Sequence, residues 1–287
     1  MTRIRVTALL LAALMLPGCA GAADEPADAA ESPATAEEAA AEGQVHGKTN
    51  GEGEMVFTYL EADAPDAVEG RRIFEDAGFL EDVAADVNSM LILPSDVQLV
   101  GAQCGEANAY WSPSEQTLTM CYELVVLDQQ LFSEAGDPDP TASALNASYA
   151  TFYHELGHMA ISLYTLPITG REEDVADQLS AYMLLYRGDD GQLDPESVQA
   201  AIDSAREYRA FSQLDGGTVD ESAYADVHSL DETRSYNLLC WVYGADPDAN
   251  AAIVTEGQLP EDRAAGCPEE FAQLEFAWET LLDPHFR

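Results

Sequence analysis

"TFYHELGHMAISLYTLPITGREEDVADQLSAY", Thr151 to Tyr182, sets two of the chain's five histidines one helical turn apart, with a glutamate directly after the first. At about 100° per residue, His158 lies about 40° round the helix from His154, so both imidazoles face one point. The opposite side carries Tyr149, Phe152, Leu156, Met159 and Leu163, a continuous apolar stripe that needs a core to cover it. Glu155 falls between the two faces, close enough to reach a water beside the histidines without being forced to bind an ion itself. Two neutral imidazoles at this spacing suit zinc, and the carboxylate between them suits uptake of a proton.

A catalytic zinc site takes three protein ligands and keeps a fourth position open. The Pro167 and Gly170 turn ends the first helix, and a second helix follows with Glu172, Glu173, Asp174 and Asp177. On it Glu173, Asp177, Ser180 and Leu184 share one face, opposite Val175, Leu179, Tyr182 and Tyr186. Folded back as an antiparallel pair, the helices bring Glu173 beside the histidines as the third ligand. Asp177, one turn further on, is then placed to accept the free ring N–H of a ligating histidine. Glu172 and Asp174 point elsewhere, toward solvent or the helix N-terminal dipole. The expectation is one Zn²⁺ on His154, His158 and Glu173, with Glu155 as general base.

Hydrolysis at such a site also needs a donor to a developing oxyanion. "YADVHSLDETRSYN" offers His228, Arg234 and Tyr236. An extended substrate needs a strand edge, for which the alternating "TLTMCYEL", with Leu118, Met120, Tyr122 and Leu124 on one face, is the candidate.

"HELGH" followed by "EDVAD", an HExxH and then an ExxAD, resembles the gluzincin metallopeptidases. More narrowly, "CGEANAYW", "TMCYEL", "FYHELGHMAISLYTLPITGREEDVADQLSAY" and "DVHSLDETRSYNLLCWVYG" resemble a bacterial metallopeptidase-like family known only as a domain of unknown function, over roughly Phe57 to the C-terminus. The resemblance implies a zincin-like fold, with His154, His158 and Glu173 at the ligand positions, Glu155 at the base and Asp177 behind the ligands. The gap between His158 and Glu173 is short and leaves no room for the insertions of larger gluzincins.

Ahead of this region the chain changes character. "MTRIRVTALLLAALMLPGCAG" has Arg3 and Arg5, an apolar run and a small-residue exit, the composition of an export signal over residues 1–18. "LPGC" resembles the lipobox of bacterial lipoproteins, which implies lipidation of Cys19 and attachment through the lipid alone, on the periplasmic side of the bacterial envelope; ordinary signal cleavage, with Cys19 incidental and the protein free in the periplasm, is the alternative. Residues 19–54, rich in Ala, Glu, Asp and Pro, hold too little apolar surface to bury and read as an acidic tether. As a flexible coil it spans on the order of 30 Å.

Residues 55–287 form the expected globular domain. Its other cysteines, Cys104, Cys121, Cys240 and Cys267, are even in number in an exported chain and read as disulfides. Pairing Cys104 with Cys121 and Cys240 with Cys267 closes the shortest loops. Strands are expected in "MVFTYLEA", "DVQLVGAQC" and twice in "ANAYWSPSEQTLTMCYELV". Helices are expected over 64–87 with breaks, 147–164, 171–187, 195–214, 231–243 and 269–282. Strands first and helices after argue α+β. With 12 Lys and Arg against 53 Asp and Glu, the formal net charge is -41, which repels nucleic acid and tolerates cationic peptides. The functional expectation is a zinc-dependent peptidase acting on peptide or protein; its rival is a catalytically silent lipoprotein that binds zinc or peptide.

Overall fold

The computed structural model describes residues 53–188, 190–214, 219 and 221–287. The export signal, Cys19 and nearly all of the acidic tether lie outside the described residues.

The chain enters through strand β1 (Met55–Tyr59), crosses by helices α1 (Pro65–Ala77) and α2 (Phe79–Met90), and returns in β2 (Val97–Ala102) parallel to β1. The break between α1 and α2 is Gly78 at φ 67°, a left-handed position that glycine takes without a Cβ clash. Strands β3 (Ala109–Ser112) and β4 (Thr117–Cys121) form a hairpin, and β4 pairs parallel with β2. The sheet order is β1-β2-β4-β3. β4 is therefore interior, and the edge strands are β1 and β3. This corrects the choice of "TLTMCYEL" as the edge: Leu118 and Met120 are buried core, and the chain leaves strand geometry at Cys121.

Helix α3 (Tyr122–Glu134) follows without a loop. Helix α4 (Pro140–Tyr164) starts seven residues before its expected beginning at Ala147. Asp139 caps it, its side chain accepting from the Ala142 amide at 3.2 Å, and Pro140 opens its first turn. α4 is the central helix: α3, α5 (Glu172–Leu184) and α6 (Pro195–Leu214) pack around it, and β3 runs along it. Its burial falls on both the apolar stripe and the histidine face, with Phe152, Leu156 and Met159 fully enclosed.

A 3-10 turn (Glu221–Ala225) leads to α7 (Asp231–Ala245), which packs on α6 and on α10 (Cys267–Leu282) after short α8 (Ala252–Thr255) and α9 (Glu261–Ala264). The disulfides are Cys104–Cys121, joining the exits of β2 and β4, and Cys240–Cys267, joining α7 to the start of α10. This is the expected pairing, and it fits an oxidising, exported environment. Among the described residues, no helix is long and apolar enough to cross a membrane. The fold is α+β: a small four-stranded sheet followed by a mainly helical part.

Candidate metal centre

α4 and α5 fold back on one another through the turn after Tyr164, and Ser180 ties them together by donating to the Ala150 carbonyl at 2.7 Å. The close pairing brings Glu173 of α5 under the histidines of α4. Its Oε2 lies 3.3 Å from His154 Nε2 and 3.1 Å from His158 Nε2. A third imidazole reaches the same oxygen, His228 Nε2 at 3.1 Å. His154 and His158 are themselves 3.2 Å apart, Nε2 to Nε2.

Each ring is held from behind by a carboxylate. His154 Nδ1 lies 2.8 Å from Asp177 Oδ1, His158 Nδ1 2.9 Å from Glu172 Oε1, and His228 Nδ1 3.1 Å from Asp226 Oδ1. A carboxylate at Nδ1 fixes the ring's plane and favours the Nδ1–H tautomer, which leaves the Nε2 lone pair free. Three Nε2 atoms and one carboxylate oxygen thus converge, and His154, Glu173 and His228 offer ligand atoms within 4.8 Å of one another. Imidazole nitrogen with one carboxylate oxygen is a donor set that fits a divalent metal of the first transition row.

Behind this cluster Asp177 is the central acid. Arg234 Nε and Nη2 donate to its two oxygens at 2.8 and 2.7 Å, and Tyr208 donates its hydroxyl to Oδ1 at 3.3 Å. Burial pushes the Asp177 carboxyl up, but the Arg234 fork and His154 overcome this and hold it well below the usual carboxylate range. Glu173 behaves alike: burial raises it, and the three histidines bring it far down. Burial disfavours charge on His154, yet Asp177 and Glu173 outweigh that and lift its pKa to about 9. His158 is also raised, because Glu173 and Glu172 outweigh burial.

Glu155 is buried beside the cluster. Burial raises its carboxyl and the positive ends of His154 and His158 lower it; the Trp111 backbone N–H also bonds to it, and the net shift is upward. That amide belongs to the open edge of the sheet. Cys121 N–H bonds to the Asn108 carbonyl and the hairpin pairs Tyr110 with Thr119, so the intervening Ala109 and Trp111 turn their peptide groups away from β4. Glu155 therefore sits between the histidines and the strand edge.

His228 lies on a loop that Arg171, at the start of α5, clamps: its guanidinium donates to the Asp226 carbonyl at 2.9 Å and the His228 carbonyl at 3.4 Å. The His228 amide donates to Asp226 Oδ1 at 2.8 Å. Of the three donors considered from sequence, the structure brings His228 to the cluster, commits Arg234 to Asp177, and leaves Tyr236 outside. Two residues beyond Arg234 on α7, Tyr236 faces the other way, with the Arg209 guanidinium over its ring at 5.3 Å. Glu172 is exposed, as expected, and its Oε1 also reaches His158 Nδ1.

A cleft of about 330 Å³ opens beside His154 and Glu155. A family model described as "Putative metallopeptidase", of a domain otherwise of unknown function, matches residues 59–282. The chain belongs to this family. Membership covers every element from the end of β1 to the end of α10, the histidine cluster included. Neither the curated proteins nor the solved structures gave a match.

Proposed function

We propose that this member of the family is a zinc-dependent peptidase of the bacterial envelope, with His154, His158 and Glu173 as metal ligands and Glu155 as general base. The observation that carries the reading is the position of Glu155: buried, against both histidines, and hydrogen-bonded to the edge strand. A protein that merely stored metal has no use for a carboxylate there. Zinc, when bound, would supply Lewis acidity toward a substrate carbonyl and toward water.

The chain's own residues supply the rest. The Glu155 carboxylate takes up a water proton and hands it to the leaving amine nitrogen, and its raised pKa moves it toward the range where both transfers proceed near neutral pH. The Ala109 and Trp111 carbonyls, turned away from β4, suit an extended substrate paired to β3, while the Ala109 N–H is taken by Asn108 Oδ1 at 2.9 Å. Glu173 first, and Asp226 after it, push the His228 imidazole up, and in its protonated form it can donate Nε2–H to a substrate oxyanion. Residues 1–18 act as leader, and lipidated Cys19 with the acidic segment holds the domain away from the membrane.

A second reading, a metal-binding protein without catalysis, draws on His228. With four protein donors a tetrahedral site is closed, as structural zinc sites are.

The test is metal content and new peptide termini for the full chain beside its Glu155→Gln variant, incubated with a mixed peptide pool. The expected result is one zinc per chain in both, with cleavage lowered about 10²- to 10⁴-fold in the variant. Zinc in both and cleavage by neither would leave the second reading.

A further inference from the structure

The cleft beside Glu155 has a chemistry of its own, and resting on the peptidase reading we infer that it receives a cationic side chain of the substrate. Its walls include Leu124 and Leu127 of α3 and Phe211 of α6, and Glu207 of α6 lines it among them. Glu207 is 3% exposed and Asp128, behind it on α3, is wholly buried. The two carboxyl groups are neighbours: burial, and then the charge of Glu207, push Asp128 up, and burial pushes Glu207 up to about 7.

Every other buried carboxylate among the described residues has a cation or an amide on it. Asp177 has Arg234, Asp203 has Arg206 at 2.6 Å and Asn146 at 2.8 Å, and Glu155 has two histidines and the Trp111 amide. Neither Asp128 oxygen meets an N–H or O–H donor from any other group. Glu207 has only the Ser204 hydroxyl, at 3.5 Å. Arg234 acts on Glu207 at a distance, but the hydrogen bonds of its guanidinium go to Asp177 and Tyr208. Buried carboxylate charge without a partner is costly, and the cost is removed by a cation brought in from outside.

The walls say what kind of cation. An inorganic ion gains nothing from leucine and phenylalanine, whereas the methylene stem of lysine or arginine covers such surface while its head reaches an acid. The cleft also includes His154 and Glu155, so a peptide held for attack there can extend a neighbouring side chain toward Glu207. The net charge of -41 over the whole chain favours approach of cationic peptides in general. Glu207 is thus a specificity-determining residue, and Asp128 holds the proton that tempers its charge when the cleft is empty.

The experiment measures binding apart from turnover. The full chain carrying Glu155→Gln, as purified with its metal, is titrated calorimetrically with an acetylated, amidated alanine pentapeptide holding lysine at its centre. The same peptide with norleucine, which lacks only the amine, is the comparison. The lysine peptide is expected to bind roughly tenfold tighter or better. Adding Glu207→Gln should bring the two within about twofold of each other. Adding Asp128→Asn should instead widen the lysine preference, because an amide donor then leaves Glu207 ionised. Equal binding at the outset, no binding of either peptide, a preference that survives Glu207→Gln, or parity in Asp128→Asn overturns the inference. Cleavage by the wild-type chain is scored separately: a lysine preference without cutting sinks the peptidase reading alone, and cutting indifferent to lysine sinks the pocket alone.

Discussion

Gly157 of α4 and Ala176 of α5 touch backbone to backbone: a Cβ built on Gly157 would stand 2.8 Å from the Ala176 Cα and 3.1 Å from its Cβ. The contact lies between His154 and His158 on one helix and between Glu173 and Asp177 on the other. The spacing that lets one carboxylate oxygen meet both imidazoles is therefore set by a missing side chain.

Gly157→Ala must push α5 outward, since the atoms it meets are backbone and a short side chain with no rotamer to yield. Helix propensity favours alanine by roughly 1 kcal/mol, but forced separation of packed helices costs about 1 to 3 kcal/mol. The expected outcome is a lower melting temperature together with loss of bound metal. A chain that melts higher and keeps its metal would show that the helices approach less closely than described.

Asp177 is shared between His154 and Arg234, so its two obvious neighbours fail differently. Asp177→Asn keeps the shape and removes the charge that fixes the His154 ring; metal affinity should fall about 10- to 100-fold in competition with a chelator of known strength. Arg234→Met leaves Asp177 buried without its main cation and should cost about 3 to 5 kcal/mol in denaturant unfolding. An Arg234→Met chain as stable as wild type would mean that Asp177 takes up a proton instead.

Much of this site could be read from the chain. The periodicity of Thr151 to Tyr182 places His154, His158, Glu173 and Asp177 on facing helices because a short turn leaves two amphipathic helices little choice. What escaped depended on tertiary surroundings. The alternation through Leu118 and Met120 stops at Cys121: from Tyr122 the buried positions are Tyr122, Leu124, Val125, Val126, Asp128 and Phe132, which no longer alternate, and β4 lies inside the sheet with β3 on the edge beside it. The first turns of α4 are small and polar, and only the Asp139–Pro140 cap announced them. His228 was named as a donor, but its approach to Glu173 depends on Arg171 clamping a loop over fifty residues away in sequence, which periodicity does not register.

His228 decides between the two functional readings. If it donates to the substrate, His228→Phe should lower kcat by about 10²- to 10³-fold while metal affinity changes less than tenfold. If it closes the metal site, the same substitution should strip metal in a chelator competition and leave no activity to measure. Arg171→Ala, which frees the loop without touching a ring, should shift activity in the same direction but less.

The Asp128 and Glu207 pair gives the domain a pH dependence of definite sign. Burial raises Asp128 well above its ordinary value and Glu207 to about 7, so the folded chain binds protons there more tightly than the unfolded chain. Stability from the pair is full below the unfolded carboxylate range near pH 4, and declines as pH rises toward 7 and beyond. Asp128→Asn removes one buried acid and supplies a donor to Glu207. It should therefore raise the unfolding free energy at pH 8 by about 1 to 3 kcal/mol relative to wild type, with the gap shrinking by pH 5. Denaturant unfolding of both chains at the two pH values measures this directly. A substitution that destabilises equally at both would mean that Asp128 has a donor partner in solution, and the pair would lose its claim to an unmet charge.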